Sequence, residues 1–280
     1  MLGFLLVACA HETKSSREPS SITAYPTALL YDQANIELSN VTNSSGKKID
    51  YNLVVDLFHL DAPGNSQPTR VILYFGPVPA AGIPYKEYFL PILRGSGINA
   101  TFVTISDDYD GQLAQKLLTG PAGFDRFLNG LFAILKDKKW ISDFNEKLIL
   151  LAHHNGAETL DKIGSSPSNI FRANAEAVAF FDGQLAGSSA PGIVNLLSEP
   201  KIGFKTYVVS TTASEAGAES IRKFIASAEA ESSVSVEHVS ETIDTKTAGS
   251  DVLLTGCLPL FLRALRQEPF ITFRCDGAAK

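Results

Sequence analysis

Three cysteines in 280 residues are too few for a disulfide scaffold, and no CxxC pair is present, so nothing supports a zinc ribbon or a thioredoxin-type motif. Charge is also modest. Charged residues make up 19% of the chain and the net charge is −6, with a pI near 5.4, so there is no basic footprint for nucleic acid. No apolar run approaches the roughly 20 residues that a bilayer-spanning helix needs. What the chain does have is 45% hydrophobic residues, enough for one large packed core and too many for a disordered chain.

The first residues read as an address. Leu2-Gly3-Phe4-Leu5-Leu6-Val7-Ala8-Cys9 is apolar up to a cysteine, and a Ser/Thr/Lys/Glu-rich stretch follows to about Ser21. Leu6-Val7-Ala8-Cys9 resembles a bacterial lipobox, in which the cysteine is lipidated and becomes the mature N-terminus. That resemblance implies a signal segment over 1–8, a polar tether over 9–26 and a membrane contact through lipid on Cys9. A start codon placed too far downstream would explain the short apolar run and the missing basic residue before it. The competing reading is a frayed apolar N-terminus on a cytosolic protein. With Cys9 assigned to lipid, Cys257 and Cys275 remain. They either close a bridge that ties the C-terminal tail to the last helix or stay as two unrelated thiols.

Beyond the tether, 27–280 reads as one domain. Thr27–Leu38 and Ile49–Phe58 are expected strands of an opening hairpin around the turn-rich Ser39–Lys48. Arg70–Phe75 (RVILYF) and Ile98–Ile105 (INATFVTI) have the apolar, β-branched composition of strands buried on both faces. Further strands are expected at Lys147–Leu151, Ala177–Phe181, Thr206–Ser210 and Val234–Val239, and helices at Ile83–Leu93, Ser214–Ala228 and Asp251–Leu265. The clearest helix is Pro121–Lys138. Phe124, Phe127, Leu128, Leu131, Phe132 and Leu135 form one apolar stripe at helical spacing. Strands alternating with helices predict an α/β fold, with a mostly parallel central sheet, an antiparallel N-terminal hairpin and helices on both faces. Gln184–Lys205 is too short for more than a small lid.

The densest signal is Leu148-Ile149-Leu150-Leu151-Ala152-His153-His154-Asn155-Gly156-Ala157. An apolar strand runs into a small-residue turn and then into a helical pattern. This frame, Ala152-x-His154-x-Gly156, resembles the G-x-S-x-G nucleophile elbow of α/β-hydrolases, and His153-x-Asn155-Gly156-Ala157 is similar to a G-H-S-N-G-A variant of it. The resemblance covers roughly Thr27–Arg266, and it implies a catalytic serine where this chain has His154. The family's histidine would lie in Ser240–Ser250 (SETIDTKTAGS), which contains none, and His238 falls inside the preceding expected strand. Asp182, at the end of a buried strand, matches the acid, with Glu215 as the second choice. The resemblance also implies an anion pocket formed by the N–H groups of Asn155 and of Gly76 or Val78, since Pro77 has none, beside the Gly156 helix start.

Losing either nucleophile or base removes several orders of magnitude from serine-hydrolase catalysis. The expectation is therefore an envelope lipoprotein whose hydrolase-like cleft binds a small molecule or an envelope protein without catalysis. The alternative is an esterase- or amidase-like hydrolase in which His154 works with Asp182. A third reading is a structural envelope protein with no ligand. No motif calls for a cofactor or a metal. His153 and His154 adjoin on a sharp turn with no third ligand at a recognisable spacing, and Gly95-Ser96-Gly97 lacks the GK[ST] of a phosphate loop. Asp107-Asp108-Tyr109-Asp110 reads as a solvated acidic loop with Ca²⁺ as the other option.

Overall fold

The computed structural model describes residues 28–42, 48–62, 69–77, 83–94, 96–105, 118, 122–142, 146–166, 168–185, 190–198, 205–211, 215–231, 237–243 and 253–265. Eight strands form one sheet: β1 (Ala28–Thr42), β2 (Lys48–Asp61), β3 (Arg70–Phe75), β4 (Ala100–Ile105), β5 (Lys147–His153), β6 (Ala175–Phe181), β7 (Lys205–Thr211) and β8 (Glu237–Ile243). Their spatial order is β1-β2-β4-β3-β5-β6-β7-β8. The first two pairings, β1 with β2 and β2 with β4, are antiparallel, and the rest are parallel. This is the expected α/β architecture with its leading hairpin.

The helices are α1 (Tyr85–Leu93), α2 (Gly123–Asp137), α3 (Gly156–Gly164), α4 (Asn169–Asn174), α5 (Pro191–Ser198), α6 (Glu215–Glu231) and α7 (Leu258–Ala264). They cover both faces because β3 to β7 alternate buried side chains up and down. On one face, Leu73, Phe75, Leu148, Leu150, Val178 and Val208 meet the stripes of α2, α3, α5 and α6. On the other, Ile72, Tyr74, Ile149, Leu151, Phe181 and Val209 meet α1 and α7. Apolar burial at about 25 cal/mol per Å² makes these two layers the main source of cohesion.

Most elements differ from expectation by a few end residues, and three differences have a structural reason. β1 runs through the expected turn to Thr42, because a bulge between Leu38 and Val41 restores its pairing with β2. β8 covers Glu237–Ile243 instead of Val234–Val239, so Ser240–Ile243, expected in a loop, pairs with β7. Asp251–Leu265 is not one α-helix, since its first described turn, Leu253–Cys257, is π-helical. Within Gln184–Lys205, expected to hold no more than a small lid, lies the helix α5.

Helix α5 also explains two glycines. A Cβ on Gly192 would lie 1.6 Å from Asp161 O, and one on Gly164 would lie 2.0 Å from Gly192 O. Helices α3 and α5 therefore touch backbone to backbone. The Asp161 carboxylate accepts from Gly192 N at 2.9 Å and Ile193 N at 3.1 Å, which caps α5 from a neighbouring helix. Gly192→Ala is expected to force the helices apart and cost ~1–3 kcal/mol. Urea unfolding would show this as a lower midpoint with an unchanged slope.

Candidate functional site

The strand β5 ends at His153 and α3 begins at Gly156, which leaves two residues to reverse the chain. His154 makes the reversal at φ 56. That is the left-handed region, which costs a non-glycine residue about 1–2 kcal/mol, and it recurs where a fold holds a side chain outward. Three backbone hydrogen bonds hold the turn. His154 N donates to Phe181 O at 3.2 Å, and its carbonyl accepts from Gln184 N at 2.9 Å and Ala157 N at 3.3 Å. The elbow is thus fastened both to its own helix and to the segment after β6.

Small residues let the neighbouring backbone close in. A Cβ on Gly156 would sit 2.0 Å from Phe75 O, and one on Gly76 would sit 2.6 Å from His153 O. The end of β3, the end of β5 and the start of α3 therefore converge. Asn155, at the helix start with φ −66, is exposed, His154 is half-buried and His153 is buried. Val78, the other expected donor, lies outside the described residues, as do Cys9, Cys275 and Asp107–Asp110.

The two histidine rings stay in edge-to-face contact, with centroids 5.5 Å apart. Only His154 reaches the surface. His153 points into the layer under α1, where its Nδ1 lies 3.0 Å from the Tyr74 hydroxyl. Burial, and after it the charge on His154, pushes the His153 pKa down to about 3, against a hydrogen bond with the Pro77 backbone that favours the protonated ring. His153 is neutral at pH 7.

Asp182 sits beside the elbow at the end of β6, also at positive φ (49) and buried. Its backbone N–H donates to Val209 O at 2.8 Å. Its carboxylate Oδ1 accepts from Thr211 N at 2.9 Å and from Thr211 Oγ1 at 3.3 Å. No hydrogen bond joins the His154 imidazole to Asp182 or to any other described side chain. Glu215 is occupied too: it accepts from Ser210 Oγ at 2.9 Å and from Arg222 Nη1 at 2.6 Å. His238 lies in β8, in register with Thr206. Among the described residues no group of three His, Cys, Asp or Glu side chains could hold a metal. Cys257 is buried and disulfide-bonded.

The structure thus brings His154, Asp182, Gly76, Asn155 and Gly156 to one edge of the sheet without making a charge pair of the first two. Sequence reasoning missed Tyr74 and Tyr85. Tyr74 donates to Pro77 O at 2.8 Å, and Tyr85 donates to Gly76 O at 2.9 Å. No local pattern singled them out, because Tyr74 and His153 are 79 residues apart.

No protein-family model matches the chain, and no curated protein does. Solved structures match in shape. Uncomplexed acylaminoacyl peptidase from Pyrococcus horikoshii is 11% identical, with 89% of this chain and 44% of that chain covered and a TM-score of 0.52. Its orthorhombic crystal form is 13% identical over 86% and 42%, at 0.50. Ferric enterobactin esterase from Salmonella typhimurium is 12% identical over 83% and 55%, at 0.49. The chain spans about two fifths to a little over half the length of these three proteins. At such identities the likeness is one of fold: an α/β-hydrolase-type sheet with its helices.

Proposed function

We propose that this chain is an envelope lipoprotein that keeps an α/β-hydrolase-type cleft for binding a small molecule or an envelope protein, and not for serine chemistry. The observation that carries the reading is the state of the elbow. An imidazole occupies the position of the nucleophile, while the nearby carboxylate of Asp182 is engaged by Thr211. The segment Ser240–Ser250 has no histidine to serve as a base. A site with neither serine nor oriented base lacks the parts that make acyl transfer fast.

The alternative is an ester or amide hydrolase that attacks through His154. Its support is the retained left-handed turn at φ 56, the geometry that holds a nucleophile above a sheet. Hydrolysis of short-chain p-nitrophenyl esters, measured beside His154→Ala, decides between the two. Equal rates at the background of surface imidazole are expected. A rate well above background that vanishes in His154→Ala overturns the binding reading.

Lipidation of Cys9 is the second part of the proposal, supported by Leu6-Val7-Ala8-Cys9 and the polar stretch after it. Expressed in a bacterium with a bacterial lipoprotein signal region fused ahead of Leu6-Val7-Ala8-Cys9, the chain is expected in the membrane fraction. Cys9→Ser is expected to release it, and an unchanged distribution would remove the anchor.

A further inference from the structure

Two tyrosine hydroxyls and one imidazole converge beneath the Gly76–Pro77 turn. Tyr85 donates to Gly76 O at 2.9 Å, and Tyr74 donates to Pro77 O at 2.8 Å. A hydroxyl carries one proton. With that proton on Pro77 O, the Tyr74 oxygen acts as acceptor toward His153 Nδ1 at 3.0 Å. The ring also bonds the Pro77 backbone, so its Nδ1 side faces both the Tyr74 oxygen and Pro77 O, and both acceptors favour the tautomer in which Nδ1 holds the proton and Nε2 is bare. Among the described residues His153 Nε2 has no hydrogen-bond partner. An unsatisfied buried polar atom costs about 1–3 kcal/mol, so the ring is oriented for its Nδ1 side at the expense of the other.

The three groups act on one short segment. Both turn carbonyls are drawn to the side buried under α1, and in a trans peptide the N–H points away from the C=O. Fixing the carbonyls fixes the peptide planes. The same turn touches the elbow directly, since a Cβ on Gly76 would meet His153 O at 2.6 Å and His153 Cβ at 2.9 Å. His153 is also the residue before His154. One strand end therefore presents the elbow and packs against the Gly76–Pro77 turn beside it.

We propose that His153 is a positioning residue of the elbow pocket: as the neutral Nδ1–H tautomer it directs the Tyr74 hydroxyl onto Pro77 O and, with Tyr85 on Gly76 O, sets the turn that walls the pocket. This rests on the reading of the elbow cleft as the binding site, but it is tested without a ligand or a turnover.

The first measurement is ¹⁵N-histidine NMR of the full chain near pH 7. A protonated-type Nδ1 and a bare Nε2 are expected for His153, whereas a proton on Nε2 overturns the proposal. The second measurement follows the amide resonances of Gly76 and Asn155. Tyr74→Phe and His153→Leu are expected to shift both in the same direction, with the double variant shifting them no further than either single one. His153→Asn, which keeps a short N–H donor, is expected to bring them most of the way back. Additive shifts, or no recovery in His153→Asn, would make His153 a space-filler and overturn the proposal. If His153→Leu does not fold, the tautomer of the native chain and the Tyr74→Phe spectrum still decide. Ester hydrolysis does not enter, so failure here and failure of the binding reading are separate results.

Discussion

Between pH 6.5 and pH 3 the folded chain is expected to lose about 5 kcal/mol of stability through one side chain, His153. Its ring is buried against Tyr74 and the layer under α1, and burial lowers its pKa from 6.5 to about 3. In the unfolded chain the same ring protonates near 6.5. Within that window the unfolded state binds a proton that the folded state refuses, so stability falls as pH falls. Below about 3 both states are charged and the loss from this residue stops. Urea unfolding at neutral pH and near pH 4 would show it. His153→Asn does not titrate and keeps a donor for Tyr74, so it is expected to be less stable than the native chain at pH 7 and to depend less on pH. Carboxylates contribute equally to both proteins and cancel in the difference. Parallel pH profiles for the two would show that the ring is already solvated in the folded state. The loss is comparable to the whole stability of many domains, so an acidic compartment would act on this protein through the residue next to its elbow.

Much of the fold was legible because its signals are local and repeated. The stripe from Phe124 to Leu135 set α2 to within two residues at its N-terminal end and one at its C-terminal end. RVILYF bounded β3 as Arg70–Phe75, a strand buried along its length. The elbow was legible for the same reason: an apolar strand needs an abrupt stop, and Ala152, Gly156 and Ala157 are the small residues that allow a close turn. What escaped depends on partners far along the chain. β8 was shifted because an edge strand takes its register from hydrogen bonds with β7, which HVSETI does not advertise. The bulge after Leu38 has no sequence signature, and the short helix α5 is capped by Asp161, from a different helix.

The site divides along the same line. That His154 and Asp182 follow neighbouring strands at one edge of the sheet was legible from the strand order. That the Asp182 carboxylate binds Thr211, 29 residues away, was not. A serine-hydrolase frame alone would award Asp182 to the histidine. Here the backbone N–H and hydroxyl of Thr211 both donate to Oδ1.

At the opposite edge of the sheet, Glu176→Leu is expected to destabilise the chain by ~3–5 kcal/mol. Arg70, the first residue of β3, reaches across β5 to Glu176 near the start of β6, with Nε at 2.7 Å from Oε2 and Nη2 at 2.9 Å from Oε1. The fork is nearly dry, with the two side chains 3% and 14% exposed. Removing the carboxylate leaves a guanidinium that cannot lose its proton and has almost no water to turn to. The pair itself adds far less than its rupture costs, because desolvating two charges offsets most of their attraction. Arg70→Met with Glu176→Leu is therefore expected to recover most of the stability lost by Glu176→Leu alone, and a double-mutant cycle in urea would read the difference as coupling. Additive losses would mean that Arg70 is held chiefly by its other contacts. Because the pair sits at the N-terminal ends of β3 and β6, and His154 and Gly76 at the C-terminal ends of β5 and β3, the ¹⁵N shifts of His153 and of the Gly76 amide should not move in any of these variants that fold. Destabilising the sheet and disturbing the elbow are then separable, as they would not be if the site were held by the whole core.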